Sequence, residues 1–272
     1  MVVEDWHAKL PWPGVDAHKH ARGRLGVVSG KATQTGAARL AARAGLRIGA
    51  GGVRILCPPD AAAVIAPAIE AIMLTPFASD EALKAAAQGM DAVVVGRAAG
   101  ANDATSANVR ALAETGAALM VDADGLTVFE PWPEELFGLL DRDDVLTPHE
   151  GEFKRLFPGL LDKGRETAAR EAAKRAGAVV VLKGPQTIIA APDGRLALNH
   201  NGVPWLATAG SGDVLAGMIG GLVAQRMDSF DAARAAVWMH AEAARAFGPG
   251  LIPEDLPERL PAVLALLYAQ GG

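Results

Sequence analysis

Short apolar segments alternate with helical segments along most of this chain, and this alternation is the feature that most restricts its fold. Near-continuous apolar runs predict buried strands, because a half-exposed strand would alternate apolar with polar residues. The predicted strands cover residues 24–30, 53–57, 89–96, 118–122, 143–147 and 178–184. Helices are predicted between them, including 35–48, 61–71, 103–115 and 165–176. This order is typical of an α/β fold with a mostly parallel sheet covered on both faces.

The pattern changes after residue 184. Apolar residues 187–191 and 195–199 flank an Asp-Gly turn, which predicts a β-hairpin. Three helices are then predicted over about 212–226, 230–247 and 256–269. No internal repeat or low-complexity linker divides the sequence. Residues 1–272 are therefore predicted to form a single domain.

Residues 1–20 are predicted to be an irregular N-terminal segment, because they are rich in proline and lack a helical or strand period. The segment contains His7, His18 and His20, but no cysteine or carboxylate stands at metal-ligand spacing from them. We expect these histidines to lie on the surface.

A glycine-rich turn, Thr208-Ala209-Gly210-Ser211-Gly212-Asp213, runs directly into an apolar helical segment. Gly210 and Gly212 allow a ligand to approach the backbone, and unpaired N–H groups at a helix start attract anions such as a nucleotide phosphate. Asp213 would repel a phosphate, so its carboxylate fits better as a general base that takes a proton from a hydroxyl. The alternative is a simple helix cap with a glycine turn. Gly217, Gly220 and Gly221 predict close helix packing behind this turn.

The other polar and glycine-rich segments follow the predicted strands. They cover residues 29–36, 96–100, 122–125, 147–152, 183–187 and 208–213. Ligands of open α/β sheets bind outside the carboxyl ends of the strands, so these segments predict one shared site. Turn chemistry alone explains the residue types, but it does not explain their location at one edge.

Several of these residues have two possible roles. Glu152 either caps a helix or steers magnesium through water, and His149 either caps or hydrogen-bonds a substrate. Lys183 either binds a nucleotide phosphate or lies in solvent at a strand end. Asp122 and Asp124 either bind ribose or cap the next helix. His240 is interpreted as a satisfied core histidine.

The composition of the chain excludes several classes of function. The chain has 272 residues, a net charge of −5 and one cysteine, Cys57. This balance argues against broad binding to nucleic acid or a membrane surface, and a single cysteine excludes an intrachain disulfide. We see no signal peptide and no apolar run long enough to span a membrane. We therefore expect a cytoplasmic protein without nucleic-acid or membrane partners.

An ordered set of motifs resembles one known family. The motifs are Gly23-Arg24-Leu25-Gly26-Val27-Val28-Ser29-Gly30, Thr35-Gly36-Ala37-Ala38, Val121-Asp122-Ala123-Asp124-Gly125-Leu126, Leu146-Thr147-Pro148-His149-Glu150-Gly151-Glu152-Phe153, Leu182-Lys183-Gly184-Pro185-Gln186-Thr187 and Thr208-Ala209-Gly210-Ser211-Gly212-Asp213-Val214-Leu215-Ala216-Gly217. Over residues 20–247 the chain resembles the ADP/ATP-dependent NAD(P)H-hydrate dehydratases of the ribokinase-like superfamily. The resemblance implies a three-layer α/β/α sandwich.

The resemblance also implies an activity. ADP or ATP, with magnesium, would phosphorylate the C6 hydroxyl of (6S)-NAD(P)H hydrate, and loss of phosphate would restore NAD(P)H. It further implies a homo-oligomer and a separate epimerase that is functionally linked, because we expect no fused epimerase domain here. The alternatives are a ribokinase-like kinase acting on a vitamin alcohol or sugar, and a non-catalytic nucleotide-sensing protein.

The resemblance also implies roles for individual residues that match the family's motifs. Asp213 matches the catalytic base, which also contacts the substrate. The other implied substrate-binding residues are Ala37, Ala38, Gly96, Ala98, Gly100 and His149, and the nucleotide-binding residues are Lys183, Gly184, Pro185, Gln186, Thr187, Gly210, Ser211 and Gly212. The segment Gly96-Arg97-Ala98-Ala99-Gly100 departs from the family's usual Gly-Pro-Gly-Leu-Gly, so Arg97 adds bulk and charge beside the expected substrate.

Overall fold

One nine-stranded sheet organises the computed structural model, which describes residues 5–97 and 99–271. The strands are β1 (Arg24–Val28), β2 (Gly52–Cys57), β3 (Met73–Pro76), β4 (Ala92–Val95), β5 (Ala118–Val121), β6 (Val145–Leu146), β7 (Val179–Leu182), β8 (Thr187–Ala190) and β9 (Leu196–Asn199). Their order is β3-β2-β1-β4-β5-β6-β7-β8-β9. Neighbours from β3 to β7 pair parallel, whereas β8 pairs antiparallel with both β7 and β9. The mostly parallel sheet and the hairpin are confirmed.

Helices cover both faces of this sheet. They are α1 (Gly36–Arg47), α2 (Pro59–Ile65), α3 (Asp80–Ala87), α4 (Asp103–Ala113), α5 (Asp124–Thr127), α6 (Pro133–Phe137), α7 (Glu150–Leu156), α8 (Arg165–Ala176), α9 (Ser211–Ala224), α10 (Ser229–Phe247) and α11 (Asp255–Tyr268). Short 3-10 turns cover Asp5–Lys9, Ala66–Ala68, Leu160–Lys163 and Pro204–Leu206. None of these described helices is long and apolar enough to cross a membrane.

Two apolar cores separate the helices into layers. Successive side chains of a strand point to opposite faces, so Leu25 and Val27 of β1 join one core and Val28 joins the other. The first core also contains buried residues of α1, α9, α10 and α11, whereas the second contains those of α3, α4 and α8. The predicted three-layer α/β/α sandwich is confirmed.

Glycines allow α9 to lie unusually close to α1. A Cβ atom at Gly217 would overlap the backbone of Ala41, and one at Gly221 would overlap the side chain of Ile48. Backbone therefore packs on backbone across this contact, which fixes the position where α9 begins. The close packing predicted from the glycine pattern is confirmed.

Several features differ from the sequence prediction. Asp5–Lys9 of the N-terminal segment, which was predicted to be irregular, form a 3-10 helix. The helix expected over 61–71 ends earlier, at Ile65, because Pro67 lies in the following 3-10 turn, and the chain then forms β3 and α3, which were not predicted. His7 is buried, so its predicted surface position is wrong: its Nε2 lies 2.8 Å from the carbonyl oxygen of Leu267 in α11. His18 and His20 are exposed, as expected.

Candidate active site

The start of α9 forms an open cradle of backbone N–H groups. Gly210 adopts φ +99°, a conformation that favours glycine, and leads directly into Ser211, the first residue of the helix. No side chain caps this helix start. The N–H of Ser211 donates to the carbonyl oxygen of Thr208 at 3.3 Å. The N–H groups of Gly212 and Asp213, which a helix start leaves without a partner inside the helix, can therefore bind an anion.

Asp213 lies in the first turn of α9 and is buried. Burial, followed by the negative charge of Asp122, raises the pKa of Asp213 to about 6, against the opposing effects of Arg97 and Lys183. A carboxyl group with this pKa is largely ionised at neutral pH, yet it is a stronger base than an ordinary aspartate. Asp213 can therefore accept a proton from a bound hydroxyl group.

A row of polar side chains crosses the carboxyl edge of the sheet below this cradle. The backbone N–H groups of Asp122, Thr147 and Lys183 each donate to the strand or loop beside them, at 2.9, 3.1 and 2.9 Å, so the sheet's bonding pattern extends past β5, β6 and β7. Asp122 Oδ1 then accepts from Lys183 Nζ at 2.6 Å and from Thr147 Oγ1 at 2.8 Å. Lys183 is consequently not a solvent-exposed strand-end lysine.

A strained turn presents Asp122 to the cavity. The N–H of Gly125 donates to the carbonyl oxygen of Asp122 at 3.0 Å, and Ala123 between them has φ +45°, which is unfavourable for a residue with a side chain. Such strain persists where the surrounding structure fixes it, and it is common at functional sites. In the same turn, Asp124 Oδ2 accepts the N–H of Gly100 at 3.0 Å.

His149 and Glu152 form a capping box at the start of α7. His149 Nδ1 accepts the N–H groups of Gly151 and Glu152 at 3.0 and 3.2 Å. Glu152 Oε2 accepts the backbone N–H of His149 at 2.8 Å, and its Oε1 lies 3.2 Å from His149 Nε2. Because Nδ1 is an acceptor, the neutral ring carries its proton on Nε2. Both residues therefore cap the start of α7.

His240 of α10 fixes the first turn of α9 from the side. It is buried, and burial lowers its pKa to about 4, so the ring is neutral near pH 7. Nε2 lies 3.0 Å from the carbonyl oxygen of Ser211, and a carbonyl can only accept, so Nε2 carries the proton. The interpretation of His240 as a satisfied buried histidine is confirmed, although it also lines the cavity.

These features surround one cavity of about 800 Å³. A cavity of this volume is typical of a site for a small-molecule ligand. The cradle of α9, the Lys183–Asp122 pair and the His149–Glu152 capping box all line it. Asp213 thus shares a cavity with an anion-binding helix start and a lysine, which is an arrangement suited to phosphoryl transfer.

A family model described as NAD(P)H-hydrate dehydratase matches residues 25–261. The chain belongs to the NAD(P)H-hydrate dehydratase family. A bifunctional NAD(P)H-hydrate repair enzyme of Salinibacter ruber is 37% identical over 98% of this chain and 52% of its own length. The chain thus spans about half the length of this relative. An ADP-dependent (S)-NAD(P)H-hydrate dehydratase of Xanthomonas campestris pv. campestris is 35% identical over 94% of this chain and 92% of its own length.

Solved structures resemble the fold of this family member throughout. A Bacillus subtilis ADP/ATP-dependent NAD(P)H-hydrate dehydratase, co-crystallised with ATP/Mg²⁺, has a TM-score of 0.82 and 28% identity over 96% of each chain. A ribokinase-like superfamily protein of Enterococcus faecalis has a TM-score of 0.84 and 21% identity, covering 98% of this chain and 95% of its own. The predicted ribokinase-like fold is confirmed.

Most of the residues expected from the dehydratase resemblance line the cavity. They are His149, Glu152, Lys183, Gly184, Pro185, Thr187, Gly210, Ser211, Gly212 and Asp213. Gln186 is not among the lining residues, and its Nε2 instead lies 3.0 Å from His200 Nδ1. The binding roles of the lining residues stay predictions.

The remaining predicted substrate-binding residues lie beside the cavity. Ala37 and Ala38 are in the first turn of α1, where Ala38 joins the apolar core. Gly96 follows β4, and a Cβ atom there would lie 3.7 Å from Asp122 Cβ. Gly100 bonds to Asp124 as described above, and Ala98 lies outside the described residues. Their contact with substrate stays a prediction.

Other cavity residues of this dehydratase family member were not predicted. The loop after β9 and helix α10 supply one wall, with Asn199, Gly202, Val203, Pro204, Leu206, Ala207, Val237 and Ala241. These are mostly apolar or small residues, and no local pattern distinguishes them from core residues. Arg97 also lines the cavity, as expected from its departure from the family's usual loop sequence.

Proposed function

We propose that this chain catalyses the ADP- or ATP-dependent dehydration of (6S)-NAD(P)H hydrate to NAD(P)H. The observation that carries the proposal is the meeting of Asp213, Lys183 and the uncapped start of α9 in one cavity. The names of the Xanthomonas and Bacillus relatives support both the substrate and the nucleotide requirement.

The chemistry proceeds in two steps. Asp213 accepts the proton of the C6 hydroxyl as its oxygen attacks the terminal phosphoryl group of the nucleotide, whose bond to the bridging oxygen breaks. Phosphate then leaves C6 with the electron pair of the C–O bond, and the adjacent ring carbon gives up a proton to water as the double bond forms. Phosphate is a far better leaving group than hydroxide, so phosphorylation makes the dehydration possible.

The cavity residues have separate tasks in this scheme. The first-turn N–H groups of α9 and the ammonium group of Lys183 bind phosphate oxygens, and they stabilise the negative charge of the transferring group. His149 lines the cavity, and its Nε2–H would hydrogen-bond the substrate by exchanging its contact with Glu152 Oε1, 3.2 Å away. His240 keeps Ser211, and with it the start of α9, in place.

A magnesium ion would neutralise phosphate charge during transfer. Each carboxylate oxygen of Glu152 already contacts His149, and through a bridging water Glu152 would reach such an ion without giving up either contact. Among residues 5–97 and 99–271, no group of three or more His, Cys, Asp or Glu side chains is arranged to hold a metal. The donors therefore suit an ion that arrives with the nucleotide.

The test incubates the chain with hydrated NADH or NADPH, magnesium and either ADP or ATP, and follows recovery of the reduced-nicotinamide absorbance. Asp213→Asn should lower kcat by about 100-fold or more, since general-base catalysis contributes that much. Asp143→Asn is the matched control, because Asp143 is an exposed aspartate at the other edge of the sheet.

Without recovery of the absorbance from either nucleotide, the proposal fails. A stable phosphorylated product would indicate a kinase, and binding without turnover a nucleotide sensor.

We further infer a single domain over residues 1–272, a cytoplasmic location, a homo-oligomer in solution and a functional link to a separate epimerase that supplies the (6S) substrate. The bifunctional name of the Salinibacter relative supports the link to a second repair activity. Light scattering of the purified chain tests the oligomer. Adding an epimerase to the assay tests the link, because it should allow complete recovery from a mixture of the two hydrate epimers.

A further inference from the structure

Asp122 is a buried carboxylate to which the proposed reaction gives no task. Its exposed fraction is 3%, and both of its side-chain hydrogen bonds, from Lys183 and Thr147, reach Oδ1. A charge at such a depth is costly unless it is paired, and removing only one partner leaves the other uncompensated. The Asp122–Lys183 ion pair is therefore a strongly held feature of the unliganded site.

The ion pair lies directly below the anion cradle. A Cβ atom at Gly212 would lie 3.7 Å from both Asp122 Oδ2 and Lys183 Nζ. A phosphate bound at the first turn of α9 would consequently lie within reach of Lys183 and close to the carboxylate that already holds it. Two anions would then share one ammonium group.

We infer that Asp122 is a positioning residue that competes with the nucleotide phosphate for Lys183 and whose negative charge strengthens Asp213 as a base. The inference rests on the proposed function. Before the nucleotide binds, Lys183 neutralises Asp122. When a phosphate attracts Lys183, the charge of Asp122 is less neutralised, and Asp213 holds a proton more tightly. Nucleotide binding thereby prepares the base.

Charged groups from several elements act on Asp213. Asp122 and Asp124, which follow β5, raise its pKa, whereas Arg97 after β4 and Lys183 after β7 lower it. His149 and Glu152 of the capping box and the neutral His240 of α10 line the same cavity. Among the charged neighbours, Asp122 has the largest effect, and it is bonded to Lys183, one of the two opposing cations.

The first measurement is the titration of the Asp213 carboxyl group by carbon-13 NMR in the 272-residue chain without nucleotide. Asp122→Asn should lower the pKa of Asp213 by about one unit, because a like charge is removed, and Lys183→Met should raise it. Asp124→Asn is the matched control: it removes a nearby carboxylate that raises the pKa of Asp213 less than Asp122 does, so its shift should be smaller. The same shifts should appear in the acid limb of the kcat profile.

The second measurement is the affinity for ADP by calorimetry. Asp122→Asn should bind ADP about fivefold more tightly, because a repelling charge and a competitor for Lys183 are removed together. Lys183→Met should bind it more weakly. A merely structural role for Asp122 would instead weaken binding in both variants.

The double variant Asp122→Asn/Lys183→Met keeps the test decisive if Asp122→Asn does not fold, because removing both charges of a pair is better tolerated than removing one. Its Asp213 pKa should return close to that of the parent, since the two effects cancel. A double variant that titrates like Lys183→Met alone would overturn the inference. Loss of the dehydration activity in the parent chain, with the expected NMR shifts intact, would overturn the proposed function only.

Discussion

Two buried aspartates have raised pKa values at opposite edges of the sheet. Asp213 lies at the carboxyl edge with a pKa of about 6, and Asp144 lies at the amino edge with a pKa of about 7. Burial is the main cause for both residues. Only Asp213 shares a cavity with a lysine and an uncapped helix start. A raised pKa alone therefore does not identify the base, and the surrounding groups do.

Asp144 has a structural task instead. Its carboxylate accepts the N–H of Leu119 at 2.6 Å and the N–H of Asp141 at 2.7 Å, which ties the start of β5 to the loop before β6. These bonds favour the ionised form, but burial outweighs them. The folded chain therefore binds a proton at Asp144 more tightly than the unfolded chain, whose aspartate has a pKa of about 3.9.

This difference predicts how stability changes with pH. Between about pH 4 and about pH 7 the folded chain keeps the Asp144 proton and the unfolded chain loses it, so the free energy of unfolding falls as pH rises. The contribution is on the order of 2–4 kcal/mol. Urea unfolding of the parent and Asp144→Asn across this range should show a flatter pH dependence in the variant. Asp143→Asn, in an exposed neighbour whose charge raises the pKa of Asp144 less than burial does, should keep most of the parent's slope. Equal slopes for the parent and Asp144→Asn would contradict the prediction.

At the scale of elements, α9 combines a rigid end with a reactive end. Gly217 and Gly221 bring its middle against α1, whereas Gly212 faces the cavity. The same residue type thus serves packing in one turn and ligand access in another. The two uses can be separated by adding a methyl group at each place.

Gly217→Ala should destabilise the fold, and Gly212→Ala should weaken nucleotide binding. The new methyl at residue 217 would overlap the backbone of Ala41, so we expect a loss of about 2–3 kcal/mol or more in the free energy of unfolding. At residue 212 it would meet only ordinary contacts at 3.7 Å, so stability should change little, but it would occupy the phosphate cradle and lower ADP affinity about tenfold or more. Urea unfolding measures the free energy of unfolding of each variant, and calorimetry measures its affinity for ADP. Equal effects of the two variants on both quantities would refute this division.

Much of the fold was predictable because long elements carry their own period. Helix α8 begins and ends where predicted, and α9 covers Ser211–Ala224 against the expected 212–226. Strand β3 was missed because it is a four-residue edge strand that ends in Pro76 and is only partly buried. Edge strands need no continuous apolar run and tolerate proline, so their sequences resemble loops.

The site was predictable as a location but not as a set of contacts. The strand ends placed Asp122 and Lys183 at one edge, yet their ion pair joins residues 61 positions apart. The spacing of His149 and Glu152 is compatible with a capping box and with a ligand contact, so only coordinates distinguish them. His7 was placed wrongly because its partner, Leu267, lies 260 residues away.

At the scale of the whole molecule, the N-terminal segment supports the wall of the cavity from behind. Trp6 packs on Trp238 of α10 with ring centroids 5.6 Å apart, and Lys9 Nζ lies 2.7 Å from Asp231 at the start of the same helix. His7 bonds to α11, so the segment also joins α10 to α11. Helix α10 in turn presents Val237, His240 and Ala241 to the cavity.

The last prediction concerns Trp6, whose exposed fraction is 1%. Trp6→Ala should lower the free energy of unfolding by about 3–5 kcal/mol, because it removes a large buried ring and leaves a void between α10 and the segment. Trp132→Ala is the matched control, since Trp132 is 67% exposed and its loss should stay within about 0.5 kcal/mol. Urea unfolding compares the two variants.

If Trp6→Ala were as stable as Trp132→Ala, the N-terminal segment would not support α10. If it were destabilised but bound ADP as tightly as the parent while folded, the segment would contribute to the stability of the cavity wall and not to its shape.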